Sequence, residues 1–193
     1  MTSFNTIDGI PATANQMLLR ETLKNKWGFN GFVVSDWASV REMIYWGYSP
    51  DEKAAAKSAV DAGTDMDMEG GIFVPHLVSL VQNGQVKESL VDDAVRRILR
   101  VKFELGLFDD PYRFLDEKRE KEVIGSKANR EAVLDMAKKS IVLLKNEKQL
   151  LPLKKEGQKI LLLGDLAASK NSPLGSWRIA SDNNTAVSVL EGM

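Results

Sequence analysis

The chain has 193 residues, 44% hydrophobic and 27% charged, the make-up of an ordinary soluble globular protein long enough for one large domain or parts of two. Lys and Arg total 26 against 27 Asp and Glu, a net charge of −1, so no basic field exists to hold nucleic acid or an anionic membrane, and a small neutral ligand fits better. The absence of cysteine and the presence of one histidine, His76, argue against disulfides, thiolate or imidazole metal centres and a Ser-His-Asp triad, leaving carboxylates as the main groups for catalysis.

In chain order, Met1 opens directly onto an extended segment, Thr2-Ser3-Phe4-Asn5, which reads as a chain cut from a longer one. No start resembles a secretory signal, and no apolar run is long enough to span a bilayer. Asp8-Gly9 reads as a turn, and Met17 to Lys26 as a helix with Gly28 beyond its end. Phe32 to Ser35 is an apolar run of the kind found in parallel strands covered on both faces, and it ends abruptly in Asp36 and Trp37. Ser49, Pro50 and Glu52 form a capping box for a helix that Gly63 stops. Asp65-Met66-Asp67-Met68 alternates as a short strand. Ser89 with Asp92 begins a long helix, with Val91, Val95, Ile98, Val101 or Lys102, and Leu105 at helical spacing until Gly106.

A loop at Asp109, Asp110 and Pro111 is followed by a solvated connector, Asp116 to Glu122. Ala128 to Lys139 reads as a helix, Ile141 to Leu144 as a β run, Leu150 to Leu153 as extended, and Ile160 to Leu163 as a buried strand ending in Gly164-Asp165. The alternation from Thr2 to about Leu107 is that of βα units around a parallel sheet. The expected fold class is therefore α/β, with residues 1–113 as one unit, 114–127 as a linker, and 128–193 as a second unit too small to bury a convincing core alone.

An acid at the end of a buried strand has two readings: it caps the next helix or turns the chain, or it faces the mouth of an α/β barrel, where such enzymes keep their chemistry. Asp36 stands between them, and Trp37 beside it offers a flat indole for a sugar ring. Asp65 and Asp67 read as turn and capping acids with one facing water, although one of them could reach the same mouth. Glu69 leads into the flexible Gly70-Gly71, and His76 reads as a part-buried helix residue. Trp27 and Trp46 read as packing residues, while Trp177 is a further candidate sugar-facing indole. Gly164-Asp165 lacks the spacing of a dinucleotide turn. No metal-ligand cluster is visible, and no cofactor is expected.

The ordered set Thr2 to Gly9 with Pro11-Ala12-Thr13, Trp27-Gly28-Phe29, Gly31 to Trp37, Ala62 to Met68, Ala94 to Leu99, Leu105 to Phe108, Ser140 to Asn146, Leu151-Pro152-Leu153 and Pro173 to Trp177 resembles an internal portion of the β-glucosidases of glycoside hydrolase family 3. Each segment is weak alone, and their order makes the set specific.

The resemblance implies late strands of a (β/α)8-type barrel followed by the first elements of an α/β sandwich. It implies a retaining mechanism in which Asp36, in the Ser-Asp-Trp motif, attacks the anomeric carbon, held about 5–5.5 Å from a protonated acid. Trp37 would flank the ring, and Ser35, from adjacency, would orient the carboxylate. Phe4 stands where some members have tyrosine, so a hydroxyl contact to the sugar is missing there. The resemblance puts the family's Lys-His pair before Met1 and its acid/base glutamate beyond Met193; Glu191 is not assigned that role. The chain alone is then expected to be inactive or nearly so, with open edges that favour self-association or a complementary piece. A β-glucoside or oligosaccharide is the implied substrate. The alternatives are a β-xylosidase or β-N-acetylglucosaminidase of the same family, and a sugar-binding or nonfunctional remnant. Relatives of this type are often exported to the periplasm or secreted.

Overall fold

Asp8 and Gly9, with φ of 51° and 77°, close a two-residue turn between strands β1 (Thr6–Ile7) and β2 (Ile10–Pro11), which pair antiparallel with Ile7 opposite Ile10. An Asp-Gly pair adopts this left-handed turn readily, so the expected turn becomes the tip of a small hairpin. The computed structural model describes residues 1–178 and 180–193 and divides into two compact units, Met1–Ile124 and Gly125–Met193.

In the first unit the parallel pairing is short but informative. Val34 bridges Met66 in parallel, the Ser35 amide donates to the Met66 carbonyl at 2.9 Å, and the Thr2 amide donates to the Val34 carbonyl at 2.9 Å. Between Val34 and Met66 run helices α1 (Ser39–Tyr45) and α2 (Glu52–Ala62). Parallel segments joined through helices are the connection of an α/β protein. Helices α3 (Phe73–Gln82) and α4 (Glu88–Glu104) follow. The core gathers Val40 and Met43 of α1, Ala55, Ala56, Ala59 and Val60 of α2, and Ile72, Leu80 and Val86. Four alanine and valine side chains on one face of α2 let α1 and α3 approach its backbone closely.

Met17–Lys26 is helical as its pattern predicts, but wound as a π-helix, with the Trp27 amide reaching the Thr22 carbonyl at 2.9 Å. Its Leu19 packs against Val33 and Ala62 in a second, smaller core.

Two helix starts differ from expectation. The cap of α2 is Asp51, whose carboxylate accepts from the Ala54 amide at 2.8 Å, while the Ser49 hydroxyl is buried without a hydrogen-bond partner. Asp51 stands three residues before Ala54, the spacing at which a cap carboxylate reaches a free N–H of the first turn, whereas Ser49 lies two residues further back. Likewise α4 starts at Glu88 after Lys87, so Ser89 falls inside the helix. On α4, Ala94 is buried and Val91 packs on the core, whereas Val95, Leu99 and Phe103 remain exposed. Gly63, at φ 106°, ends α2 as its sequence position predicts.

The stretch expected as a loose connector contains helix α5 (Glu117–Val123), capped by Asp116 and exposed along its length. In the second unit, helix α6 (Lys127–Ser140) forms where expected, capped by Ser126. The expected strands Ile141 to Leu144 and Ile160 to Leu163 do not form ladders, and most of their side chains face solvent. An extended run becomes a strand only when a neighbour accepts and donates its ladder bonds, and among the described residues none does so for these two. Strand content is therefore lower than the sequence led one to expect, and helices dominate. Among the described residues, no helix is long and apolar enough to cross a membrane.

Candidate active site

The segment Gly31 to Trp37 is fixed at its base before it reaches its acid. Asp65 spends both carboxylate oxygens there: Oδ1 on the Lys24 ammonium at 2.5 Å and Oδ2 on the Val33 amide at 2.7 Å. Both side chains of this ion pair are only 3% exposed. The expectation of a water-facing turn acid is corrected for Asp65, because a buried carboxylate must be matched by a cation and hydrogen bonds. Burial pushes the Lys24 ammonium below its usual range, against the upward pull of its hydrogen bond to Asp65. The main chain repeats the attachment, with the amides of Asp65 and Met66 both donating to the Val33 carbonyl, at 2.8 and 3.1 Å. Helix α4 closes the same end: Arg97 donates to the carbonyls of Phe29 and Gly31, and to Asp93 on its own helix.

At the other end the chain turns sharply. Ala38 adopts φ 54°, its amide donates to the Met68 carbonyl at 2.8 Å, and the Ser39 amide donates to the Asp36 carbonyl at 3.1 Å. Ser35 is fully buried; its hydroxyl donates to the main-chain carbonyl of Asp36 at 2.9 Å and accepts from the Met68 amide at 2.8 Å. The expectation that Ser35 orients the Asp36 carboxylate is thereby corrected. Its hydroxyl replaces a ladder acceptor and ties the turn to the neighbouring segment.

The Asp36 carboxylate accepts from the Trp37 amide at 2.7 Å through Oδ1. Ala38 precedes helix α1, whose first turn has no side-chain cap, so Asp36 is not its anchor. Asp36 is half-buried and Trp37 is 47% exposed, leaving a carboxylate and an indole side by side on the turn. Phe4 is partly exposed and meets Trp46 edge-on, ring centroids 5.9 Å apart. Trp46 therefore packs, as read from the sequence, whereas Trp27 is 69% exposed and does not. Trp177 belongs to the second unit and is exposed there.

Beneath the turn runs a chain of buried hydroxyls that the sequence did not reveal. Thr2 Oγ1 lies 2.9 Å from Thr13 Oγ1, which lies 3.0 Å from Ser39 Oγ, and the Thr64 hydroxyl donates to the Thr13 carbonyl at 2.9 Å. It links the first extended segment, the residues after the hairpin, the start of α1 and the end of α2. Asp67 stays near the turn: Oδ2 accepts from the Ile72 amide at 2.8 Å, and Oδ1 is buried without a hydrogen-bond partner. A Cβ on Gly70 would stand 2.3 Å from that oxygen, so the loop needs glycine at this point for space.

Arg41 braces the same loop, donating to the Gly70 carbonyl at 2.9 Å and pairing with Glu52 at 2.5 Å. The other Glu52 oxygen lies 3.1 Å from His76 Nε2. Hydrogen bonding with His76, helped by the Arg41 charge, holds the Glu52 carboxyl below its usual range. His76 is thus a part-buried helix residue, as expected. Groups of three or more potential metal ligands are not found among the described residues.

The sequence matches known proteins along this whole architecture. Residues 1–101 match the glycosyl hydrolase family 3 N-terminal domain, and residues 141–193 match the family's C-terminal domain. A periplasmic beta-glucosidase of Salmonella typhimurium is 39% identical over 196 residues, covering all of this chain and 26% of its own length. A putative beta-xylosidase of Formosa agariphila is 39% identical over 132 residues, covering 67% of this chain and 17% of its own length. The crystal structure of the beta-glucosidase from Listeria innocua in complex with glucose aligns with a TM-score of 0.76 at 40% identity, covering 100% of this chain and 26% of the other. The chain spans about a quarter of the length of the first of these relatives. With both domain types of one family matched in order, the chain belongs to glycosyl hydrolase family 3.

Proposed function

We propose that this chain carries the nucleophile of a retaining β-glucosidase and that Asp36 is that nucleophile. The Asp36 carboxylate would form a C–O bond to C1 of the sugar as the glycosidic bond breaks, the leaving oxygen taking a proton from a partner acid. Water, giving its proton to that same partner, would then cleave the ester with net retention. The observation that carries the reading is the free-standing carboxylate: Asp36 ends a segment pinned at both ends, takes one main-chain hydrogen bond, and caps no helix. Trp37, exposed beside it, supports a stacking role for its indole; Phe4, at the edge of Trp46, and Trp177 are further candidates for sugar contact.

The glucose complex of the Listeria protein and the name of the Salmonella protein support a terminal β-D-glucosyl unit as substrate; the Formosa relative supports a β-xyloside as the second reading. The Salmonella relative's name also supports a periplasmic setting. Residues 1–113 would be barrel and 128–193 sandwich, joined through 114–127. Exposed Val95, Leu99 and Phe103 on one side of α4 support association with a complementary segment or a second copy.

No described residue is assigned the partner acid, so the polypeptide should hydrolyse ordinary aryl glucosides slowly or not at all. A dinitrophenyl leaving group needs no protonation, which makes dinitrophenyl 2-deoxy-2-fluoro-β-glucoside the sharper probe. Intact-protein and peptide mass spectrometry should find one fluoroglucosyl ester on the peptide containing Asp36, and none in Asp36→Asn. An ester on another residue, or unchanged labelling of Asp36→Asn, would overturn the assignment. Calorimetric binding of glucose without any ester would favour a sugar-binding remnant. Faster labelling by the xylose analogue would favour the second reading.

A further inference from the structure

We propose that the buried Lys24–Asp65 ion pair is a register pin for the segment carrying Asp36, making Lys24 and Asp65 positioning residues for that acid. The structural part stands on its own; its catalytic consequence rests on the nucleophile reading above. Val33 is held at both of its main-chain polar groups by one neighbour, its amide by the Asp65 carboxylate and its carbonyl by the amides of Asp65 and Met66. Asp36 lies three residues further on, about 10 Å along an extended chain. Because side chains alternate across such a segment, a slip of one residue would turn Asp36 to the opposite face.

A neutral acceptor could hold the Val33 amide, but it would penalise a slip only weakly. The ion pair does more, because any register that withdraws Asp65 from Lys24 leaves two charges, each 3% exposed, without compensation. The lysine arm is itself fixed. Its π-helix packs Leu19 against Val33, and Arg20 on the same helix donates to the carbonyls of Val60 and Asp61 at the end of α2. Gly63, at φ 106°, turns the chain beside the Lys24 arm, where a Cβ would sit at ordinary contact distance. Among the described residues, the only other carboxylate paired with Lys24 is Asp93, at 3.9 Å, more exposed and already bonded to Arg97. The pin therefore depends on Asp65.

The experiment compares amide exchange at Val33 to Trp37, and the rate of fluoroglucoside labelling, in wild type, Lys24→Met, Lys24→Met with Asp65→Asn, and the surface control Lys57→Met. Lys24→Met should speed exchange at Val33 to Trp37 by about tenfold or more while α1 and α2 keep their protection, the factor expected from loss of a charge-assisted hydrogen bond. It should lower the limiting labelling rate without changing the half-saturating probe concentration. The double variant, whose asparagine still accepts from Val33 but penalises a slip only weakly, should exchange more slowly than Lys24→Met and still faster than wild type. Lys57→Met should change neither readout.

Unchanged exchange at Val33 to Trp37 in Lys24→Met would overturn the pin, as would a double variant that keeps the segment as protected as wild type. If Lys24→Met does not fold, the double variant decides by the same criterion. If wild type takes no label, the role of Asp36 fails, while the exchange comparison still decides the pin.

Discussion

The two units use the same kind of sequence to different effect. In Met1–Ile124, apolar faces of α1, α2 and α3 find one another, and Met43, Val40 and Ile72 are fully buried. In Gly125–Met193, runs as apolar as Ile141-Val142-Leu143-Leu144 and Ile160-Leu161-Leu162-Leu163 stay largely in solvent, and Leu144 is 91% exposed. Hydrophobicity supplies a drive to be buried, but burial requires a facing surface, and an extended run also requires a hydrogen-bonded neighbour. The same local pattern therefore marks a core in one unit and an exposed run in the other.

The largest test of this contrast is truncation on each side of it. Met43→Ala should cost the first unit about 2–5 kcal/mol, because it leaves a cavity among packed helices. Leu144→Ala should change stability by no more than about 0.5 kcal/mol. Urea unfolding read through the protected amides of α1 and α2 measures the first, and the same titration read on α6 measures the second. Equal costs would mean that the second unit has a core comparable with the first.

A smaller effect sharpens the account within the first unit. Asp51→Ala should destabilise α2 by about 1 kcal/mol, since it strands the Ala54 amide. Ser49→Ala should be neutral or slightly stabilising, since its buried hydroxyl has no partner to lose. A larger loss at Ser49 than at Asp51 would restore the capping box read from the sequence.

The smallest effect concerns acid. Glu52 has a folded-state pKa below its ordinary 4.5, chiefly through His76, so its contribution is complete above that value and disappears as pH falls through the folded one. The stability difference between wild type and Glu52→Gln should shrink from about pH 6 to about pH 3, measured by urea midpoints. A difference that grows on acidification would refute the sign.

Much of the local structure was legible because it rests on nearby residues. Asp8-Gly9 turns the hairpin, Gly63 ends α2, and the leucines after Met17 make a helix. The resemblance to glycoside hydrolase family 3 was legible in the order of short motifs, and the family matches bear it out. What escaped was the support around the candidate site. Lys24 looks no different in sequence from Lys26, since the partner that buries it lies 41 residues away. Thr13 and Ser39, 26 residues apart, gave no sign of sharing a hydroxyl chain.

The linear sequence by itself determined that α2, α4 and α6 form, with ends close to those observed, which segment carries an acid at its tip, and the family to which the chain belongs. Tertiary structure alone decided that Asp65 is a buried anchor, that the Ser35 hydroxyl serves the main chain of the turn, and that Asp36 caps no helix. The reason is physical: turns and caps are settled by dihedral preferences and hydrogen bonds within a few residues, whereas burial and the pairing of charges depend on distant segments meeting.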